Sequence, residues 1–100
     1  MKLVVLAAAA LVAVPAFASK DLAQKNACLA CHASDKKLVG PAFQEIGKKY
    51  GGQKDAEATL AQSIKAGGAG QWGPVPMPAQ ATLSEADAKT LAAWVLAGAK

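Results

Sequence analysis

The chain has 100 residues, of which 53% are hydrophobic, and its 11 basic and seven acidic side chains give a formal charge of +4. Nucleic-acid-binding domains are usually much more basic, so we expect no nucleic-acid partner. The length fits a single small domain. Domains of this size bury little core of their own, so they usually need further stabilisation, for example from disulfides or a bound metal.

Residues 1–18 predict a secretory signal peptide. Lys2 supplies a positive charge, residues 3–14 form an uninterrupted apolar run, and an Ala-Phe-Ala cleavage pattern ends directly before Ser19. A membrane span needs about 20 apolar residues, so an uncleaved anchor is the weaker alternative and no membrane span is expected. These features predict export to the periplasm and a mature domain over residues 19–100.

The first helix is predicted to begin near Ser19, a candidate N-cap, and to run into a Cys-Leu-Ala-Cys-His motif at residues 28–32. Two cysteines separated by two residues and followed at once by histidine form the pattern of c-type haem attachment. Thiols one helical turn apart can each add to one vinyl group of the haem, and the imidazole can then bind the iron. The motif predicts thioether bonds to Cys28 and Cys31 and an iron bond from His32.

Three other interpretations of this motif are weaker. A thiol-redox motif normally lies in a βαβ pattern, and no strand is apparent in this sequence. A structural zinc site needs four ligands, whereas the motif holds both cysteines and the single histidine of the chain. A disulfide would explain Cys28 and Cys31 but would leave the position of His32 to coincidence.

Three more helices are predicted downstream, which makes the chain one all-α domain of about four helices. The second begins at Pro41 and ends at Gly51-Gly52, the third runs from an Asp55 cap to Gly67-Gly68, and the fourth runs from Ser84 to Gly98. Helical spacing assigns their inward-facing positions. These are Phe43, Ile46, Gly47 and Tyr50, then Leu60 and Ile64, and finally Leu91, Trp94 and Val95.

The segment over residues 67–78, hereafter the 67–78 loop, is too rich in glycine and proline to be regular structure. It holds Met77, the sole methionine after the predicted cleavage, between Pro76 and Pro78. Most methionines fill gaps in a core. A thioether held by two prolines is nevertheless suited to bind iron, and His/Met ligation is typical of electron-transfer cytochromes. Met77 is therefore predicted as the second iron ligand.

The order of these motifs identifies a family resemblance. The Cys-x-x-Cys-His motif, then Val-Gly-Pro at residues 39–41, then Trp-Gly-Pro-Val-Pro-Met-Pro at residues 72–78, resembles the short bacterial monohaem class I cytochromes c of the c-551 type. The resemblance implies an all-α fold with crossed first and last helices and one haem c in a cleft. It also implies that the Pro41 carbonyl accepts a hydrogen bond from His32 and that the Trp72 indole contacts a haem propionate, with Gln80 near the Met77 sulfur.

The resemblance further implies a periplasmic, monomeric electron carrier that is not an enzyme. Its partners would be redox proteins, with a donor such as a cytochrome bc complex and an acceptor such as nitrite reductase or a terminal oxidase. The alternatives are a gas-binding or peroxidase-like haem c protein and an exported thiol oxidoreductase. Lysines are spread along the chain and are expected on the solvated surface, where some could steer an acidic partner.

Overall fold

The computed structural model describes residues 16–100, with side chains described from Ser19 onward. It contains four α-helices and one short 3₁₀ turn, and within this part of the chain there is no strand. The all-α prediction is therefore confirmed. Also within residues 16–100, no helix has the length and apolar character needed to cross a bilayer. The helices are α1 (Ala16–Lys25), α2 (Phe43–Tyr50), α3 (Ala56–Ala66) and α4 (Glu85–Leu96), and the 3₁₀ turn covers Cys28–Ala30.

Helix α4 forms the centre of the domain, because α1, α2 and α3 all pack against it. Its predicted inner stripe is confirmed, with Leu91, Trp94 and Val95 exposed by only 2%, 7% and 6%. Ala88 and Ala92 are fully buried, which brings the neighbouring backbones close to the α4 axis. Burial of such a stripe contributes most of the stability that a short helix has in water.

Helix α1 differs from its predicted bounds at both ends. It begins at Ala16, so Ser19 lies inside the helix and is not its N-cap. The three helical residues before Ser19, Ala16–Ala18, include no glycine or proline, so the helix runs through Ser19 without interruption. The helix ends at Lys25, and Ala27 adopts a left-handed conformation with φ of +61° before the motif. Most of the predicted signal peptide, residues 1–15, lies outside the described residues.

Helix α2 begins at Phe43, two residues after the predicted first residue, Pro41. The N–H groups of Phe43 and Gln44 donate to the carbonyl oxygens of Ala33 and Ser34, at 2.9 and 3.0 Å. These contacts satisfy donors that lack partners within the helix. Ala33 and Ser34, which directly follow the cysteine motif, therefore hold the start of α2 next to that motif.

The predicted ends of α3 and α4 are confirmed in position, but only one of the two predicted caps forms. The Ser84 hydroxyl accepts from the Asp87 N–H at 3.1 Å, as expected for an N-cap. Asp55 stands at the N-cap position of α3 but makes no capping hydrogen bond, so that part of the prediction is wrong. Gly67 follows α3 and Gly98 follows α4, both with positive φ.

Candidate functional site

An open and mostly apolar cleft lies against α4, and it encloses about 1220 Å³ when the adjoining space open to solvent is included. The structure places all the predicted site residues on its lining, including both cysteines of the motif. The walls between them come from the buried stripes of α2, α3 and α4. The predicted site residues are Cys28, Cys31, His32, Pro41, Trp72 and Met77, and the apolar wall includes Phe43, Ile46, Leu60, Ile64, Leu91 and Val95.

The cysteine motif forms one tight turn at the edge of the cleft. The N–H groups of Cys31 and His32 both donate to the Cys28 carbonyl oxygen, at 3.2 and 2.9 Å. Both cysteines are half-buried free thiols. The turn therefore presents two thiols and one imidazole from five consecutive residues to the same apolar space.

The His32 ring is held by contacts with three residues. Its Nδ1 lies 2.7 Å from the Pro41 carbonyl oxygen. Because a carbonyl oxygen can only accept, we assign the proton to Nδ1, which leaves the Nε2 lone pair available to a metal. The ring stacks on Phe43 with centroids 5.1 Å apart. Gly40 passes so close that a Cβ there would lie 2.5 Å from the ring Cε1.

Met77 is half-buried and is held by backbone contacts at the end of α3. It pairs with Gly68 through two hydrogen bonds of 2.8 and 3.2 Å. A Cβ on Gly67 would lie 2.6 Å from the Met77 carbonyl oxygen, so the close approach requires glycine there. The Gln80 N–H donates to the Ile64 carbonyl oxygen at 3.1 Å, which ties the segment directly after the 67–78 loop to α3.

Trp72 lies on the cleft lining, is 39% exposed, and contacts the last turn of α2. The Lys49 ammonium lies 4.5 Å from the centroid of the Trp72 ring. The Tyr50 hydroxyl donates to the side-chain oxygen of Gln71 at 3.1 Å. The 67–78 loop is thus in contact with α2 as well as with α3.

The electrostatics of the cysteine motif do not resemble those of a thiol enzyme. Burial raises the pKa of the Cys28 thiol, and the neighbouring Cys31 adds to the effect, although a backbone hydrogen bond opposes it. Reactive thiols in oxidoreductases have lowered pKa values because the thiolate is the nucleophile. Nor do the described side chains form a group of three or more His, Cys, Asp or Glu positioned to hold a metal ion, as a zinc site would require.

Sequence reasoning missed three residues that shape this site. The sequence indicates Gly40 only as part of a motif and Gly67 only as a helix stop, but each is required by a close approach to a predicted ligand. It predicts Lys49 on the solvated surface, yet the Lys49 ammonium lies against the Trp72 ring. Of these three residues, only the two glycines could have been identified from the sequence, because glycine often marks a place where the backbone passes close to another group.

Comparison with known proteins gives a consistent result. The sequence model of the family described as "Cytochrome c" matches residues 18–99. The chain is similar to cytochrome c-552 of Nitrosomonas europaea, with 51% identity over 90 residues, covering 90% of this chain and 87% of that protein. It is also similar to cytochrome c-551 of Azotobacter vinelandii, with 54% identity over 77 residues, covering 77% of this chain and 93% of the relative.

Solved structures show the same relationship. The crystal structure of wild-type Nitrosomonas europaea cytochrome c552 superposes with a TM-score of 0.77 and 49% identity, covering 79% of this chain and 98% of that one. A class 1 cytochrome from Sideroxydans lithotrophicus superposes with a TM-score of 0.72 at 30% identity, covering 88% of this chain and 100% of that one.

Proposed function

The chain belongs to the cytochrome c family, and from that premise we propose that it is a periplasmic single-electron carrier with His/Met ligation. Proteins of this family transfer electrons through one covalently attached haem c. For this chain we assign each of these bonds to a particular residue. Cys28 and Cys31 form the thioether bonds, and His32 and Met77 are the two iron ligands.

The observation that carries this proposal is the shared cleft. Two thiols, an imidazole and a thioether, supplied by segments far apart in sequence, line one mostly apolar space. A haem needs such walls for its large apolar faces, a pair of thiols at one edge, and two ligands for its iron. The residues present therefore fit the group that the family carries.

His32 is prepared for its role by the backbone around it. Donation from Nδ1 to the Pro41 carbonyl oxygen, at 2.7 Å, fixes both the tautomer and the plane of the ring. Such a partner also increases the basicity of the nitrogen that binds the metal. Pro41 thus acts through His32, and the family resemblance and the 2.7 Å distance support the same role.

Met77 offers a soft and neutral thioether, which favours Fe(II) over Fe(III) more than a second imidazole would. When bound, the haem supplies an iron that changes between these two oxidation states. The chain's part is to keep Met77 in place through both, by the Gly68 pairing and the two flanking prolines. A ligand set that hardly moves makes electron transfer fast.

Trp72 is proposed to donate its indole N–H to a haem propionate. The ring lies on the cleft lining and is partly exposed, at 39%, which is where the polar edge of a bound haem would meet solvent. An indole is a donor only, and one that is partly buried normally finds an acceptor.

The location and partners are also proposals. We infer that residues 1–18 direct export and are removed, leaving a monomer of residues 19–100 in the periplasm. Its partners would be redox proteins, such as a cytochrome bc complex as donor and nitrite reductase or a terminal oxidase as acceptor. If His32 and Met77 both bind the iron, the chain would leave no coordination position for a substrate, and we accordingly propose an electron carrier and not an enzyme.

The Met77→Ala variant tests the ligand assignment and the function together. The exported haem protein should gain affinity of its ferrous form for carbon monoxide, and its reduction potential should fall by roughly 0.1 V or more. Val75→Ala is the matched control, because Val75 lies on the same loop and lines the cleft but offers no ligand atom. An unchanged spectrum and potential in Met77→Ala would refute the assignment. Carbon monoxide binding by the parent would indicate gas binding instead.

A further inference from the structure

Two adjacent lysines at the end of α2 make different contacts. Lys48 pairs with Glu45 on its own helix, at 3.5 Å, and both side chains are well exposed. Lys49 faces the 67–78 loop, and its ammonium lies 4.5 Å from the centroid of the Trp72 ring. The same ammonium lies 3.5 Å from the Gln71 carbonyl oxygen, to which it donates. Neighbours of equal charge therefore differ in whether they contact this loop.

A second contact joins the same two elements. The Tyr50 hydroxyl donates to the Gln71 side-chain oxygen at 3.1 Å, and Tyr50 itself is buried at 8% exposure. The Lys49 ammonium also lies 5.7 Å from the Tyr50 ring centroid, so it is close to two aromatic rings. A cation over an aromatic face is attracted by the ring quadrupole. Residues 71 and 72 are thus both held in contact with the last turn of α2.

These contacts are important because the rest of the loop has few anchors. Its glycines at positions 67, 70 and 73 all have positive φ, a conformation that stiffer residues rarely adopt. Apart from the α2 contacts, the loop is held by the Gly67 N–H, which donates to the Ser63 carbonyl oxygen, and by the pairing of Gly68 with Met77. An internal hydrogen bond also runs from the Gly70 N–H to the Gly73 carbonyl oxygen. The contacts with α2 are the ones nearest the tip of the loop.

We propose that Lys49 is a positioning residue for the electron-transfer site. By holding Trp72 and Gln71 against α2, it keeps the 67–78 loop closed and so keeps Met77 in place. The proposal rests on the proposed function, because closure is relevant to electron transfer only if Met77 binds the iron. The contact with the loop itself is independent of that assignment and can be measured separately.

The experiment compares Lys49→Gln with Lys48→Gln in the exported haem protein. Both variants lose one charge, but only the first loses the contact with Trp72. Opening of the loop is followed by amide hydrogen exchange at Gly70 and Met77, whose N–H groups are hydrogen-bonded within the loop. Ligand access is followed by the rate at which the oxidised protein takes up added imidazole, which must displace Met77.

Lys49→Gln should raise both rates by about fivefold, the effect expected from losing one exposed cation–π contact. Lys48→Gln should leave both rates within about twofold of the parent, as expected for an exposed pair. Lys49→Arg should have the same rates as the parent, because a guanidinium also stacks on aromatic faces. Tyr50→Phe should shift both rates in the same direction as Lys49→Gln, through loss of the hydrogen bond to Gln71.

Equal rates in Lys49→Gln and Lys48→Gln would overturn the proposal. Rates in Lys49→Arg as high as those in Lys49→Gln would also overturn it. Failure of the proposed function gives a different result. If Met77 is not a ligand, the parent takes up imidazole rapidly and no variant changes that rate, while hydrogen exchange still reports whether Lys49 holds the loop.

Discussion

Gly40 illustrates how the absence of one side chain determines the position of another. A Cβ at this residue would lie 2.5 Å from Cε1 and 2.9 Å from Nδ1 of His32. Real side chains do not approach so closely, so either the ring or the backbone would have to move. The backbone has little freedom, because the Gly40 N–H donates to the Cys31 carbonyl oxygen at 2.7 Å.

Gly40→Ala should therefore displace the His32 ring from the Pro41 carbonyl oxygen. We expect a loss of about 1–3 kcal/mol in the free energy of unfolding, together with a changed absorption spectrum of the oxidised protein. Denaturant titration and spectroscopy measure the two effects. Gly68→Ala is the control, because a Cβ there meets no atom within 4 Å. Indistinguishable results from the two variants would contradict the close approach.

At the scale of the elements, two similar capping residues have different outcomes. Ser84 has extended backbone angles, φ of −66° and ψ of 155°, and its hydroxyl reaches the Asp87 N–H. Asp55 has a left-handed backbone, with φ of +63°, and makes no cap hydrogen bond. Capping needs the extended conformation at the N-cap residue, so residue type alone does not determine whether a cap forms.

Ser84→Ala should lower the free energy of unfolding by about 1 kcal/mol, since it removes the acceptor for an N–H in the first turn of α4. The loss should affect the whole domain because the other three helices pack on α4. Equilibrium denaturation of the haem protein gives the value. Thr82→Ala serves as the comparison, because Thr82 lies exposed in the preceding turn. A similar loss from Thr82→Ala would show that the cap contributes nothing specific.

At the scale of the whole molecule, the core and the cleft are built from the same side chains. Several of the most buried apolar residues also line the cleft. A group bound in the cleft would therefore complete one surface of the core. A domain of this size has little other core to rely on. The shared residues are Ala23, Phe43, Tyr50, Leu60, Leu91, Ala92, Trp94 and Val95.

The double variant Cys28→Ala/Cys31→Ala should therefore lose most of its helical structure, since no thioether can hold the haem against these walls. Circular dichroism and the cooperativity of thermal unfolding measure the loss. Met77→Ala is the matched control, because it keeps both thioether positions and should keep most of its helix content. Native helicity and cooperative melting in the double variant would show that the chain folds without covalently attached haem.

The sequence by itself determined the features that depend on near neighbours. Helical spacing predicted the buried stripe of α4, and Ser84 and Gly67 marked helix ends correctly. Two of the errors are local, since Ser19 lies inside α1 and Asp55 has a backbone conformation that does not cap α3. A third error involves another segment of the chain. Pro41 did not begin α2, since the carbonyl oxygens of Ala33 and Ser34 accept from the first N–H groups of that helix. The predicted thioether bonds and iron ligands remain predictions.

Only the tertiary structure decided which distant residues meet. His32 and Met77 line the same cleft although α2 and α3 lie between them in sequence. Lys49 contacts Trp72 from another element, and no local spacing relates the two. The physical reason is that caps and helical stripes depend on residues within about four positions. Loop placement depends instead on contacts with other helices, such as that of Trp72 with α2, and on backbone close approaches that only glycine permits.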